Sequence, residues 1–152
     1  MTKDFDDLLQ AFTANKVRFL VVGAYALALH GRPRLTKDLD VCVEPAPENA
    51  KRVIAALRDF GAPMSQIAEV DFAKPGAVFQ IGLPPCRIDV LTQLTGVGFP
   101  EAWEDRQIGS LGSCEVPFLG KKSFIKNKRA AGRHQDLADA EEIGRASCRE
   151  RV

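Results

Sequence analysis

The chain has 152 residues, 45% hydrophobic and 27% charged, with 21 Lys+Arg against 20 Asp+Glu. That is the profile of one ordinary globular domain, long enough to bury roughly 68–70% of the surface its unfolded form exposes. A formal net charge of +1 excludes a broad basic field that would hold any polyanion regardless of sequence.

The longest apolar run, 11 residues from Phe19 to Leu29, is well short of the ~18 a spanning helix needs. Acidic residues stand at Asp4, Asp6 and Asp7, where a secretory signal would place its basic region. A cytoplasmic protein with no membrane partner is expected. Cys42, Cys86, Cys114 and Cys148 form no Cys-x-x-Cys pair, and His30 and His134 are the only histidines. This usage predicts reduced thiols acting as small apolar fillers and argues against a zinc site.

In chain order, Phe5, Leu8, Leu9 and Phe12 have the spacing of an amphipathic helix over 4–15. A short apolar run over 18–22 reads as a buried strand, followed at Gly23 by a turn into a helix over 24–30 that Gly31 closes. A basic loop over 32–37 leads to an alternating strand at 38–43. There Leu39, Val41 and Val43 share one side, and Asp38, Asp40 and Cys42 the other. Helical spacing returns over 47–60 with Gly61 as its stop. Strands at 77–83 and 87–91, separated by Gly82-Leu-Pro-Pro85, are expected to form a hairpin. In the second of these Asp89 projects away from Ile88 and Val90. A helical turn at 101–106, a strand at 114–119 and helices at 121–131 and 135–143 complete the pattern.

This order predicts an α+β architecture with a mixed α/β sheet and flanking helices, carrying acids on one sheet face. The domain is assigned to 1–143. Residues 144–152 carry three Arg and one Glu with no apolar period, and are set apart as a non-native or disordered tail.

Asp38 and Asp40 are two residues apart on one strand, so their carboxylates share a face; Asp89 on a second strand can add a third oxygen. Carboxylates this close repel, and a proton, a basic neighbour or a divalent cation must offset that. Hard oxygen ligands suit Mg2+ or Mn2+. An Asp-x-Asp pair alone is more often a solvated strand face or a cap. Immediately upstream, the strand-to-helix turn at Gly23 and Ala24 aims backbone N–H groups where a phosphate could sit. Arg34 and Lys37 are read either as phosphate contacts or as neutralisers of Asp38 and Asp40, and Tyr25 either as a base-stacking ring or as a half-buried aromatic. Asp136 opens the last helix, where acids commonly offset the dipole, and is kept as a nucleotide-site candidate. His30 is read as a helix-end group bonded to a carbonyl, and Trp103 as packing.

The stretch Val22-Gly-Ala-Tyr-Ala-Leu-Ala-Leu-His-Gly-Arg-Pro-Arg-Leu-Thr-Lys-Asp-Leu-Asp40 resembles the signature of small bacterial nucleotidyltransferase-fold proteins, related to minimal nucleotidyltransferases and AbiEii-type toxins. Arg87-Ile-Asp-Val-Leu-Thr92, Pro100-Glu-Ala-Trp-Glu-Asp-Arg106 and Asn127-Lys-Arg-Ala-Ala-Gly-Arg-His-Gln-Asp-Leu-Ala-Asp139 resemble it in the same order, so the likeness spans about residues 3–143. It implies a polymerase-β-like core in which Asp38, Asp40 and Asp89 hold Mg2+ or Mn2+ and Lys128 faces the phosphates. The implied reaction moves a nucleoside monophosphate from a nucleoside triphosphate to a hydroxyl on RNA, protein or a small molecule, by in-line displacement. It also implies a toxin–antitoxin setting with a cognate toxin or antitoxin partner. One departure stands out: Gly23-Ala24 replaces the family's common Gly-Gly or Gly-Ser, removing any hydroxyl there. Two other readings stay open, a catalytically weak nucleotide- or protein-binding module and a metal-dependent phosphohydrolase.

Overall fold

A computed structural model describes residues 2–31, 37–82 and 86–150. The Thr2 hydroxyl accepts from the Phe5 N–H at 3.3 Å and caps helix α1, Lys3–Ala14, filling one of the helix's open donors. Phe5, Leu8, Leu9 and Phe12 are all buried, as their spacing predicts. Strand β1, Phe19–Val22, leads directly into α2, Gly23–Leu29. Strand β2, Asp38–Val43, is followed by α3, Pro47–Phe60, which ends at Gly61 in a left-handed conformation.

A 3-10 turn at Met64–Gln66 and the short helix α4, Glu69–Phe72, lie where no element is expected from spacing. They are too short for periodicity to show, and Phe72 anchors them in the core. Strands β3, Val78–Ile81, and β4, Arg87–Leu91, form the expected antiparallel hairpin. Helix α5, Phe99–Glu104, precedes β5, Gln107–Leu111, and β6, Cys114–Phe118. Helices α6, Lys121–Ala131, and α7, His134–Glu150, close the described chain. Helix α7 continues beyond Ile143, where apolar spacing stops, into the segment set apart as a tail. Its buried apolar anchors are Ala140 and Ile143.

The six strands form one mixed sheet in the order β3-β4-β2-β1-β6-β5. Strand β1 runs antiparallel to β2 and parallel to β6, while β2 and β4 are parallel. Every β1 residue is buried, the pattern of an interior strand covered on both faces. Strand β5 is absent from the reading of the sequence. It lies at the sheet edge and is largely exposed, so Gln-Ile-Gly-Ser-Leu shows little strand character. The Gly112-Ser113 turn between Leu111 and Cys114 is the signal that identifies the hairpin.

Candidate active site

Register places the two central acids opposite one another. Along the parallel β2/β4 pair, Asp38 faces Arg87, Asp40 faces Asp89 and Cys42 faces Leu91. Alternation buries Leu39, Val41, Ile88 and Val90 on the other face and leaves the acids half-buried. The two carboxyl groups are close enough to act on each other: burial raises Asp40 to about 6, and the neighbouring Asp89 carboxyl pushes the same way. The other Asp89 oxygen, Oδ1, is buried and has no hydrogen-bond partner among the described residues.

Gly23 forms the floor beneath Asp40. Val22 pairs with Asp40 across the β1/β2 register, so the next residue approaches the carboxylate directly. Gly23 has φ +68, and a Cβ built there would collide with Asp40 Oδ2. Ala24 and Tyr25 follow, both half-buried in α2. The Tyr25 ring meets Phe5 edge-on at 6.2 Å, so it is tied into the α1 packing, and burial raises its hydroxyl pKa.

Asp38 is placed differently. Its carboxylate lies 3.7 Å from the Arg87 guanidinium, with both side chains substantially exposed. Among the described residues no group of three His, Cys, Asp or Glu side chains is gathered as a cation site. The structure thus joins Asp40 with Asp89 and leaves Asp38 on a basic neighbour of its own strand pair.

Lys128, in the last turn of α6, reaches back to this edge. Its ammonium is 3.3 Å from Asp136 Oδ1 and 5.4 Å from the centre of the Phe124 ring, and its charge lowers Asp40 against the larger raising effects. Asp136 is buried, with Arg133 Nε at 2.6 Å from Oδ2 and Nη2 at 3.2 Å from Oδ1. These cations, Arg133 foremost, hold its carboxyl below the usual range. Both oxygens of Asp136 are therefore engaged by this chain's own cations. Lys37 is exposed, and its carbonyl accepts the Arg87 N–H at 3.3 Å. Arg34 lies outside the described residues.

Comparison with known proteins finds no matching family model and no matching curated protein. Among solved structures, a proposed nucleotidyltransferase from Thermotoga maritima superposes with a TM-score of 0.52 at 14% identity. The match covers 95% of this chain and 94% of that one. The chain has a nucleotidyltransferase-type fold. At this identity the likeness is one of architecture, with the mixed sheet and flanking helices aligned over nearly the full length.

Within this nucleotidyltransferase-type fold, the chemistry at the Asp40–Asp89 edge fits a divalent cation. Two hard carboxylates face each other, one retains a proton to about pH 6, and one buried oxygen has no partner among the described residues. An oxygen-seeking cation would replace the Asp40 proton and satisfy that oxygen. The described helices include none long and apolar enough to cross a membrane.

Other residues singled out from sequence have structural places. His30 is buried with Nε2 2.7 Å from the Leu119 carbonyl, in keeping with a helix-end group bonded to a carbonyl. Trp103 stacks on Phe99 with ring centres 5.8 Å apart, and Arg106 lies over it at 4.1 Å. Cys42 is buried, and burial pushes its thiol up to about 12. Arg87 and Arg133, which hold Asp38 and Asp136, were not singled out individually. Arg87 is visible in sequence only as the strand residue two before Asp89, and Arg133 as a cation three before Asp136 at helical spacing.

Proposed function

We propose that this chain transfers a nucleoside monophosphate from a nucleoside triphosphate to a hydroxyl acceptor. The observation that carries this reading is the Asp40–Asp89 pair, set directly opposite in register above a glycine floor within a nucleotidyltransferase-type fold. Asp40 and Asp89 would hold Mg2+ or Mn2+, and Asp38 would join them on leaving Arg87. A divalent ion held there would supply charge for the transferring phosphoryl group and lower the pKa of an acceptor hydroxyl.

The chain's own residues account for the rest. The absence of a side chain at Gly23 makes room for the Asp40 carboxylate against the start of α2. Lys128 offers a point cation suited to a triphosphate. Tyr25, packed against Phe5, would stand beside a nucleotide bound at this turn. Catalysis of this kind depends on positioning and charge without a covalent intermediate on the protein.

A second reading, nucleotide or protein binding without turnover, is favoured by the placement of Asp38 on Arg87 and by Ala24 in the turn. The deciding experiment supplies magnesium, each labelled nucleoside triphosphate, total RNA and cell lysate, beside Asp40→Asn. Label on an acceptor that vanishes with Asp40→Asn supports transfer. Triphosphate binding without label supports the binding module, and release of inorganic phosphate with no labelled acceptor supports a phosphohydrolase. The toxin–antitoxin setting rests on the sequence resemblance, and growth arrest on expression, lost with Asp40→Asn, is its test.

A further inference from the structure

We infer that Arg133 and Asp136 form a positioning clamp that holds the Lys128 ammonium off the Asp40–Asp89 carboxylates and presents it to the polyphosphate of a nucleotide. The inference rests on the proposed nucleotidyl-transfer reading and assigns Asp136 an indirect role, in place of contact with nucleotide.

The geometry begins at Gly132, whose φ of +73 ends α6 and lets α7 start two residues later. The turn brings Asp136, in the first turn of α7, against Lys128, in the last turn of α6. Asp136 is 2% exposed and Lys128 17%, while Arg133 is 78% exposed. A buried carboxylate thus receives a fork from a solvent-facing guanidinium and shares its Oδ1 with a largely buried ammonium. Arginine's planar fork fixes the carboxylate in orientation, which a single point cation could not do.

The effect falls on Lys128. Its flexible four-carbon stem would otherwise let the ammonium settle on the nearest anions. Asp40 lies within its electrostatic reach. An ammonium on those carboxylates would compete with a divalent cation and be withdrawn from phosphate. Asp136 holds the charge at 3.3 Å, and the Phe124 ring supports it from beneath.

A helix-junction staple without a nucleotide role would have the same ion pairs, so the test must separate the two. Wild type, Asp136→Asn, Lys128→Ala, the double variant, and Arg133→Ala are titrated calorimetrically with a nucleoside triphosphate and its monophosphate in magnesium, and their melting temperatures are recorded. Asp136→Asn is expected to weaken triphosphate binding about tenfold and monophosphate binding less than about twofold, the scale of one charge-assisted contact. In the Lys128→Ala background it is expected to have no further effect. Arg133→Ala, at an exposed position, should act in the same direction more weakly, and carries the test if Asp136→Asn does not fold.

Unchanged triphosphate affinity in the variants overturns the clamp. So does an equal loss for triphosphate and monophosphate that follows the melting temperature, or a loss that persists without Lys128. Wild type that binds no triphosphate overturns the nucleotidyl-transfer reading itself and the clamp with it, and is distinguished at the first titration.

Discussion

Asp40 and Asp89 stand directly opposite each other across the parallel β2/β4 pair, and burial, with the Asp89 charge beside it, raises Asp40 to about 6. Each acid occupies the exposed side of a strand whose other side is core, so neither can turn away without breaking the alternation that buries Leu39, Val41, Ile88 and Val90. The repulsion is built into the register.

Its sign can be worked out. Asp40 in the folded chain binds its proton more tightly than at the ordinary value of 3.8, so its favourable contribution is complete below about pH 3.8 and is lost as pH rises through about 6. Above that pH the folded protein holds a half-buried charge beside a second carboxylate. Asp40→Asn is therefore expected to stabilise the metal-free protein at pH 7.5 by about 1–2 kcal/mol while abolishing transfer. The gain over wild type should grow from pH 4 to pH 6.5 and then level off. Thermal melts in chelator across that range test this, and a gain independent of pH would refute it.

The same carboxylates predict a pH-dependent response to cation. Manganese must displace the Asp40 proton, so stabilisation is expected to be strong above pH 6 and weak below it. At about a hundred times the dissociation constant, binding contributes about 2.7 kcal/mol, or a rise of about 5–10 °C for a chain of this size. The rise should shrink to about 2 °C or less at pH 5 and disappear in Asp89→Asn. Differential scanning fluorimetry with and without manganese at the two pH values gives the comparison.

A third prediction concerns the scaffold. Asn49 is fully buried in α3, where its amide donates to the carbonyls of Arg18 and Glu44 at 3.0 Å each, and its oxygen accepts the Arg18 N–H at 2.7 Å. It ties the start of β1 to the end of β2. Asn49→Ala would leave the Arg18 N–H without its acceptor and take one of two donors from each carbonyl, since the Glu44 N–H still reaches Arg18 and the Ala46 N–H still reaches Glu44. It is expected to cost about 1–3 kcal/mol, read as a lower denaturant midpoint with unchanged slope. Asn49→Asp keeps the acceptor alone and should recover only part of that loss.

Asn49 also marks where the sequence stops being informative. Its neighbours read as an amphipathic helix, and nothing in a 3.6-residue period distinguishes a polar residue facing two strand ends from one facing water. Leu39, Val41, Ile88 and Val90 were legible because alternation alone assigns strand faces. That assignment put Asp40 and Asp89 on exposed faces, but register between distant strands decides whether they meet. Asp38 shows the limit: it shares the Asp40 face by alternation, yet the structure pairs it with Arg87, because parallel register sets these two side by side. Asp136 was legible as a first-turn acid. Its burial under Arg133 and Lys128 depends on the α6–α7 turn, which spacing within either helix does not reveal.

Gly23 offers the most direct link between backbone and site. Two separate constraints act there, a φ of +68 that side chains rarely adopt and the Asp40 carboxylate where a Cβ would sit. Either alone costs about 1 kcal/mol or more. Together they predict that Gly23→Ala lowers stability by about 2–3 kcal/mol, or roughly 5–10 °C in melting temperature. Ala24→Ser, one residue on within α2, should change stability by less than about 0.5 kcal/mol. Because the clash falls on Asp40 itself, the two defects are coupled. Asp40→Ala, which removes the obstructing carboxylate, should relieve the steric part of the Gly23→Ala penalty and leave the φ part. A double-mutant cycle measured by chemical denaturation reads that coupling. Strict additivity would show that Gly23 is required for its turn conformation alone, and that the approach of α2 to Asp40 is incidental.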